Sequence, residues 1–356
     1  MTEIRDLPPN GFDAVSTFSG CGGSSLGYRM AGFRVLWASE FVPAARDTYR
    51  ANAAPYTVLD GRDIREVTGA DILTAIGKPA GELDLLDGSP PCASFSTAGK
   101  RDKGWGEVKA YSDTVQRADD LFFEFTRILR EVQPRTFIAE NVSGLVKGTA
   151  KGYFKLILTE LQTAGYRVAA RVLDASWLGV PQARQRLIFT GVRSDLGVPP
   201  VHPVPLSYRY TVRDVLPWIT AQAYPQGYGR FGSMVPPDRP SATFGSMIYT
   251  GNGYWPPGFV TGPLPDGTHS RKDPETGGSL TVIHRKPVPG QGPDTRKLTL
   301  AELRVLSGFP PDFVLTGTYA QRWERIGRAV PPVMMAAIAT AVRDQVLVPL
   351  REQGVI

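Results

Sequence analysis

The stretch Ala14-Val15-Ser16-Thr17-Phe18-Ser19-Gly20-Cys21-Gly22-Gly23 opens as a buried strand and closes in a glycine turn. A helix is expected next, through Leu26, Met30 and Phe33, and Val35-Leu36-Trp37-Ala38-Ser39-Glu40 reads as a second strand ending in a carboxylate. This is the front half of a nucleotide-binding βαβ unit. Glycines let the backbone approach a ligand, and an acid about twenty residues on accepts from ribose hydroxyls. Ser25 stands where the third glycine of the dinucleotide pattern would fall, so an adenosine-bearing ligand without a pyrophosphate fits better. A plain strand-to-helix turn with no ligand is the alternative for this segment.

Downstream the β-then-α rhythm continues. In Asp60-Gly61-Arg62-Asp63-Ile64, Asp63 either accepts from an adenine amino group or caps a helical turn. Leu85-Leu86-Asp87-Gly88-Ser89-Pro90-Pro91-Cys92 is an apolar strand with an acidic end, a Gly-Ser turn and two prolines that fix φ. Cys92 therefore falls on a stiffened backbone beyond a strand's carboxyl end, where open α/β sheets place their ligands. A thiol there is a nucleophile, or else the small buried hydrophobe that most free cysteines are. The segment 95–106 is basic and glycine-punctuated, with Ser96, Lys100 and Arg101 as candidates to meet a phosphate backbone, or to line a solvated loop.

Leu121, Phe122, Phe125, Ile128, Leu129 and Val132 recur at helical spacing, and Pro134 ends that helix. Thr136-Phe137-Ile138-Ala139 is a short strand delivering Glu140-Asn141-Val142 at its end, where an acid is a site residue or an ion-paired structural one. Val180 to Phe189 alternates as a strand, with Gln182, Arg184 and Arg186 on one face and Leu187 and Phe189 opposite.

Bulk composition narrows the classes. With 356 residues, 42% hydrophobic and 21% charged, the chain is an ordinary globular protein long enough for a large domain and a smaller one. Net charge +6 and pI near 9.3 suit a polyanionic partner. Two cysteines exclude a disulfide scaffold, and the scattered His202, His269 and His284 give no metal-ligand spacing. The N-terminus lacks the apolar core of a signal peptide and no run is read as bilayer-spanning, so a cytoplasmic protein without membrane contact is expected. From about Gly197 prolines, glycines, tyrosines and short strand-like pieces (Ser241 to Phe244, Ser279 to Ile283) replace the earlier rhythm. Arg209, Arg213, Arg230, Arg271, Lys272 and Arg285 are interleaved, as in a lobe that meets a partner. Leu300 to Leu306 reads as a helix, Ile326 to Pro332 as a glycine turn and proline start, and Met334, Ile338, Val342 and Val346 as the buried stripe of a final helix.

In order and over nearly the whole length, these pieces resemble the DNA cytosine-5 methyltransferases, of bacterial or phage type. Phe18-Ser19-Gly20-Cys21-Gly22-Gly23 resembles the family's cofactor loop, Glu40 with Phe41 its ribose site, and Asp63-Ile64 its adenine contact. Pro90-Pro91-Cys92 with Phe95-Ser96 resembles its nucleophile motif, Glu140-Asn141-Val142 its acid motif, and Gln182-Ala183-Arg184-Gln185-Arg186 its arginine motif. Arg296 to Pro310 and Ile326 to Pro332 resemble its two closing motifs.

The resemblance implies a Rossmann-like α/β fold carrying an S-adenosylmethionine site, with a smaller, irregular β-rich target-recognition domain. It implies domains at 1–196, 197–294 and 295–356, the last returning to the catalytic domain. Catalytic roles fall to Cys92, Glu140, Asn141, Arg184 and Arg186. Cofactor contacts fall to Phe18 to Gly23, Glu40, Phe41, Asp63, Ile64, Pro91, Leu121, Arg328, Ala329 and Val330, and DNA contacts to Ser96, Lys100, Arg101 and Gln182. The substrate implied is duplex DNA, methylated by a monomer in a restriction-modification or phage-protective setting. Two positions depart from the pattern. Ser16 stands where the family usually has an acid, which costs it a hydrogen bond at most. Arg328 replaces the usual asparagine, so it turns to solvent, pairs with Glu324, meets the cofactor's carboxylate, or grips the extra carboxylate of carboxy-S-adenosylmethionine. A tRNA methyltransferase of the same fold and a non-catalytic DNA-binding relative are the rival readings.

Overall fold

The computed structural model describes residues 1–5, 7–91, 108–111, 114–117, 121–224, 233–245, 258–282 and 290–356. By internal contacts the chain forms two compact units. One comprises Thr2–Leu173, Gln185–Val204 and Met335–Ile356; the other comprises Met1, Asp174–Arg184 and Pro205–Met334. These divisions differ from the expected boundaries at 196/197 and 294/295. Most of the segment after 294 groups with the lobe, because Thr295–Lys297 pairs there with Phe259–Thr261.

The larger unit is built on a seven-stranded sheet: β1 (Asp13–Thr17), β2 (Arg34–Ser39), β3 (Val58–Asp60), β4 (Leu85–Gly88), β5 (Thr136–Val142), β6 (Tyr166–Asp174) and β7 (Gln185–Arg193). Their spatial order is β3-β2-β1-β4-β5-β7-β6. The pairings from β3 through β5 are parallel and β7 runs antiparallel to β5, so the sheet is mixed. The carboxyl ends of β1 and β4 are neighbours, since Thr17 pairs with Gly88. β1 is buried at every position, as expected of a central parallel strand.

Helices α1 (Gly23–Met30), α2 (Pro43–Asn52), α3 (Gly69–Ile76), α4 (Leu121–Val132) and α5 (Lys151–Thr163) belong to this unit. The apolar stripe read for α4 is its buried face, and Phe125 meets Phe137 of β5 edge-on at 6.0 Å. Gln133 ends α4 in the left-handed conformation (φ +51°) before Pro134. Phe33 lies beyond α1, in the turn into β2, and is buried at 2%.

The smaller unit has a four-stranded sheet of short pieces, β8 (Ala221–Tyr224), β9 (Ser233–Val235), β10 (Phe259–Thr261) and β11 (Thr295–Lys297), ordered β9-β8-β10-β11. α6 (Leu300–Leu306) starts with a capping box between Thr299 and Glu302, and α7 (Tyr319–Arg328) follows. α8 (Pro332–Val342), which from Met335 onward belongs to the larger unit, and the helical turn Arg343–Leu347 after it carry the final stripe, with Met334, Ile338, Val342 and Val346 at 2% exposure or less.

Three expectations need correction. Thr136–Val142 is longer than the strand read from sequence, because β7 pairs along it as far as Arg186 opposite Val142. Ser279 to Val282 contains only an isolated bridge, Lys272 to Ser279, rather than a strand. One run, Tyr319–Glu352, is long and apolar enough by length and composition to cross a membrane. Half of its most apolar window is buried inside the protein, and α7 ends at Arg328 before Pro332 starts α8. Its buried apolar side chains include Trp323, Ile326, Met334, Ile338 and Leu347.

Candidate active site

The turn after β1 is held from several sides. Ser19 N–H donates to Ser39 O (2.9 Å) and Gly22 N–H to Ser19 O (2.9 Å). Glu40, just past β2, accepts from Gly20 N–H at one oxygen and Val42 N–H at the other, both at 2.7 Å. Phe18, Gly20 and Gly22 all have positive φ (+54°, +57°, +96°). Two of these positions suit glycine, whereas Phe18 is a non-glycine residue in the left-handed region, a conformation that concentrates at functional sites. A Cβ on Gly20 would meet nothing within 4 Å, so the loop opens on free space there, while one on Gly22 would press on the Tyr49 ring at 3.1 Å.

The partly exposed Gly20, with open space where a Cβ would stand and a carboxylate bound to its N–H, fits an adenosine-bearing ligand. Cys21 is buried at 3% and Phe41 is partly exposed. Asp63 caps the short turn that follows, accepting from Arg65 N–H (3.0 Å) and pairing with its guanidinium (3.0 Å), and Ile64 is buried. The capping alternative for Asp63 is therefore the local geometry, and any ligand contact must be additional. Leu121, expected against the cofactor, is fully buried in the hydrophobic core and offers a ligand no surface.

Cys92, Ser96, Lys100 and Arg101 lie outside the described residues. The strand that leads to them is described. Ser89 Oγ is buried with no hydrogen-bond partner among the described residues, and Asn141 Nδ2 reaches the Pro90 carbonyl at 3.4 Å. Glu140 is 9% exposed near the end of β5, and its Oε1 meets Arg186 Nε of β7 at 2.6 Å. The antiparallel pairing of β5 with β7 brings the acid and arginine motifs together, although 46 positions separate the two residues in the chain.

Sequence reasoning missed a buried cluster beneath the turn. Asp87 is 1% exposed; its Oδ2 accepts from Ser16 Oγ (2.7 Å) and its Oδ1 from Tyr28 OH (2.7 Å). Both partners are hydroxyls, and Glu140 adds a like charge, so burial raises the Asp87 carboxyl to about 7. Burial and the neighbouring carboxylate likewise push the Tyr28 hydroxyl well above its ordinary value. Ser16 thus keeps a hydrogen bond, with the acid supplied by the next strand. The available signal was an acid inside the apolar run Leu85-Leu86-Asp87-Gly88.

The single polar face expected from 182 to 186 does not form. The chain pairs as Gln182–Ala183 with Ser241–Ala242, then breaks at Arg184 before β7 begins. Gln182 is 1% exposed and gives its amide nitrogen to Leu306 O (3.4 Å) and Ser307 Oγ (3.2 Å), while its Oε1 is buried with no hydrogen-bond partner among the described residues. Arg184, 2% exposed, donates to Phe244 O (3.1 Å) and Gly327 O (3.0 Å), which makes it a buried tie within the smaller unit rather than a ligand-facing group. Arg328 is on the exposed end of α7 and pairs with Glu324 at 2.9 Å; Ala329 is partly exposed and Val330 buried. No cluster of three or more metal-ligating side chains occurs among the described residues.

A glycine turn after β1, an acid after β2 and a mixed sheet with one antiparallel strand beside β5 define an α/β methyltransferase of the S-adenosylmethionine-dependent class. Residues 12–344 match the family model for C-5 cytosine-specific DNA methylase. The Type II methyltransferase M1.HphI of Haemophilus parahaemolyticus is 30% identical over 344 residues, covering 92% of this chain and 86% of that protein. M.PspPI of Psychrobacter sp. is 30% identical over 361 residues, covering 96% and 81%. In fold the chain is similar to a DNA modification methyltransferase encoded within an E. coli prophage (TM-score 0.63, 20% identity, 94% and 99% covered). It is also similar in fold to Spodoptera frugiperda DNMT2 (TM-score 0.62, 18% identity, 92% and 98% covered). The chain belongs to the C-5 cytosine-specific DNA methylase family, and is by class a DNA (cytosine-5) methyltransferase.

Proposed function

We propose that this enzyme methylates C5 of a cytosine swung out of duplex DNA, through a transient bond from Cys92 to C6 of the ring. The observation that carries the reading is the Glu140–Arg186 pair at 2.6 Å, on the strand whose Asn141 reaches the Pro90 carbonyl, two residues before Cys92. Cytosine C5 is too weak a nucleophile unaided. Addition of the Cys92 thiolate to C6 places the ring's electrons at C5 as an enamine. Glu140 holds or delivers a proton at N3 and so drains the charge that addition creates; Arg186 orients Glu140 and faces O2. After loss of the C5 proton, the S–C6 bond breaks and Cys92 is regenerated. S-adenosylmethionine, when bound, supplies the methyl group. Phe18 to Gly23, Glu40, Asp63 and Ile64 would hold it, with Phe41 and Pro91 beside it and Ala329 and Val330 of the closing turn as further contacts. C5 and C6 are shielded inside a stacked duplex, which is why the base must leave it. Lys100, Arg101 and Ser96 are assigned to the DNA backbone.

The test is trapping. An oligonucleotide carrying 5-fluorocytosine at the methylated site is expected to become covalently bound to the wild-type enzyme when donor is present, and not to Cys92→Ser. DNA binding should survive that substitution. Methylation undiminished in Cys92→Ser would refute the assignment, and loss of turnover also excludes a non-catalytic relative.

The substituted asparagine at Arg328 raises carboxy-S-adenosylmethionine as a second donor. The guanidinium's pairing with Glu324 supports the ordinary donor instead. Nucleoside mass spectrometry after incubation with each donor is expected to show 5-methylcytosine, and 5-carboxymethylcytosine would reverse the choice. Competition between duplex DNA and tRNA separates the remaining substrate classes; no cysteine follows Cys92, whereas the tRNA enzymes of this fold usually carry one in the recognition lobe. A cytoplasmic monomer acting in bacterial or phage-infected cells, in restriction-modification or self-protection, completes the proposal.

A further inference from the structure

We propose that Asp87 is the positioning residue of the cofactor loop, acting through Ser16, Thr17 and Tyr28 rather than by touching the ligand. The inference rests on the reading of residues 18–23 as the S-adenosylmethionine loop.

The loop connects β1 to α1, and one residue of β4 grips both ends of it. At the β1 end, Ser16 Oγ donates to Asp87 Oδ2 at 2.7 Å and Thr17 Oγ1 donates to the Asp87 carbonyl at 2.8 Å. On α1, Tyr28 OH donates to Asp87 Oδ1 at 2.7 Å. The grip extends into the loop itself, because Ser19 Oγ donates to Ser16 O (2.8 Å) and approaches Ser16 Oγ (3.0 Å).

Between these anchors sits Phe18 at φ +54°, a conformation that persists only where the surroundings over-determine it. The anchors are 0% exposed at Ser16, Thr17 and Tyr28, so water cannot replace a lost partner. An aliphatic side chain at 87 would satisfy the strand equally well but would leave two buried hydroxyls without an acceptor. The carboxyl therefore has a purpose beyond the sheet. Because Asp87 is five positions before Cys92, the same residue also fixes the strand that delivers the thiol.

The experiment compares wild type with Ser16→Ala, Tyr28→Phe, Asp87→Asn and the pairwise combinations. It measures calorimetric Kd for S-adenosylhomocysteine and amide hydrogen exchange at residues 18–23 without ligand. Each single hydroxyl variant is expected to weaken binding about fivefold, the equivalent of one buried hydrogen bond, and to speed exchange in the loop. In the Asp87→Asn background, the further loss from Ser16→Ala or Tyr28→Phe should shrink to less than about twofold, since all three act through one carboxyl.

Affinity within about twofold of wild type and unchanged loop exchange in the hydroxyl variants, whatever their melting temperatures, would overturn the proposal and leave Asp87 a stability residue. Should Asp87→Asn fail to fold, the two hydroxyl variants decide by the same criteria. If the wild type itself binds no S-adenosylhomocysteine while loop exchange responds as expected, the cofactor assignment falls and the positioning role stands.

Discussion

At position 87 the chain places a carboxylic acid inside a buried parallel strand, with two hydroxyls for partners and Glu140 as a like charge nearby. Desolvation outweighs those two hydrogen bonds and raises the carboxyl from its ordinary 3.8 to about 7. The folded state therefore binds the proton more tightly than the unfolded chain. The stabilising contribution is complete below about pH 4 and is lost as pH rises through about 7. Tyr28 stays neutral throughout that window. Over the window the loss approaches about 4 kcal/mol, at about 1.4 kcal/mol for each pH unit that separates the folded and unfolded titrations. Asp87→Asn has no proton to lose. Its unfolding free energy relative to wild type should therefore climb between pH 4 and 7, whatever constant offset the altered hydrogen bonds add. Urea unfolding of both proteins at several pH values measures this; parallel curves would mean that Asp87 ionises normally. The sequence alone could not show this, because Ser16 and Tyr28 are 71 and 59 positions away from Asp87. Glu140 was legible as a strand-end acid, but its Arg186 partner depended on the antiparallel register.

Elements here are fitted to one another by a few contacts without slack. Gly88 ends β4 where Phe125 of α4 crosses it; a Cβ there would lie 2.3 Å from the Phe125 ring and 3.0 Å from Thr17 Oγ1. Neither neighbour is the loose end of a flexible chain. Gly88→Ala should destabilise the protein by about 1–3 kcal/mol through overpacking, and should lower methylation further by displacing the strand before Cys92. Thermal melts and initial rates test both; an unshifted melt would show that α4 can retreat.

In the lobe, Arg296 and Glu302 are 2% and 1% exposed, and each Glu302 oxygen meets a guanidinium nitrogen at 2.7 Å. Trp218 Nε1 and Thr299 N–H donate to the same carboxylate, so every element around it is satisfied. Glu302→Ala leaves a buried guanidinium without its counter-ion and should cost about 3–5 kcal/mol, read as an earlier unfolding transition; a change below about 1 kcal/mol would argue that water reaches the site. Patterning made α4, β4 and the final helix legible, since each carries its own periodicity. Two strands were misread for a physical reason. The run from 182 to 189 alternates throughout, but Arg184 turns inward to two carbonyls and breaks the ladder, a contact no periodicity encodes. Ser279 to Val282 has strand composition, but its backbone pairing is confined to Ser279 opposite Lys272 and to the bonds of Leu280 with Arg271 and Lys297, too few to extend into a ladder.

Charge is distributed unevenly over the whole molecule. Between Pro205 and Met334 there are fourteen Lys and Arg against nine Asp and Glu, which is +5 of the chain's net +6. Several of these charges are internally committed: Arg296 to Glu302, Arg304 to Glu275 and Arg213 to Asp238. The excess nevertheless belongs to the smaller unit, which contains most of the stretch that the family resemblance assigns to target recognition, whereas the unit carrying the cofactor loop is close to neutral overall. The two ligands should then respond differently to salt. Each phosphate neutralised by Lys or Arg releases a condensed counter-ion, so log K for DNA falls linearly with log salt, with a slope of about −0.9 per contact. S-adenosylhomocysteine displaces no counter-ion atmosphere. Between about 50 and about 200 mM salt, DNA affinity should fall by at least tenfold while S-adenosylhomocysteine affinity changes by less than about twofold. Fluorescence anisotropy with a labelled duplex and calorimetry with the small ligand give the two slopes on one preparation. Charge-reversing the lobe at the exposed Lys272 (Lys272→Glu) should flatten the first slope and leave the second alone. Equal salt slopes for both ligands would place the DNA contacts outside the basic lobe.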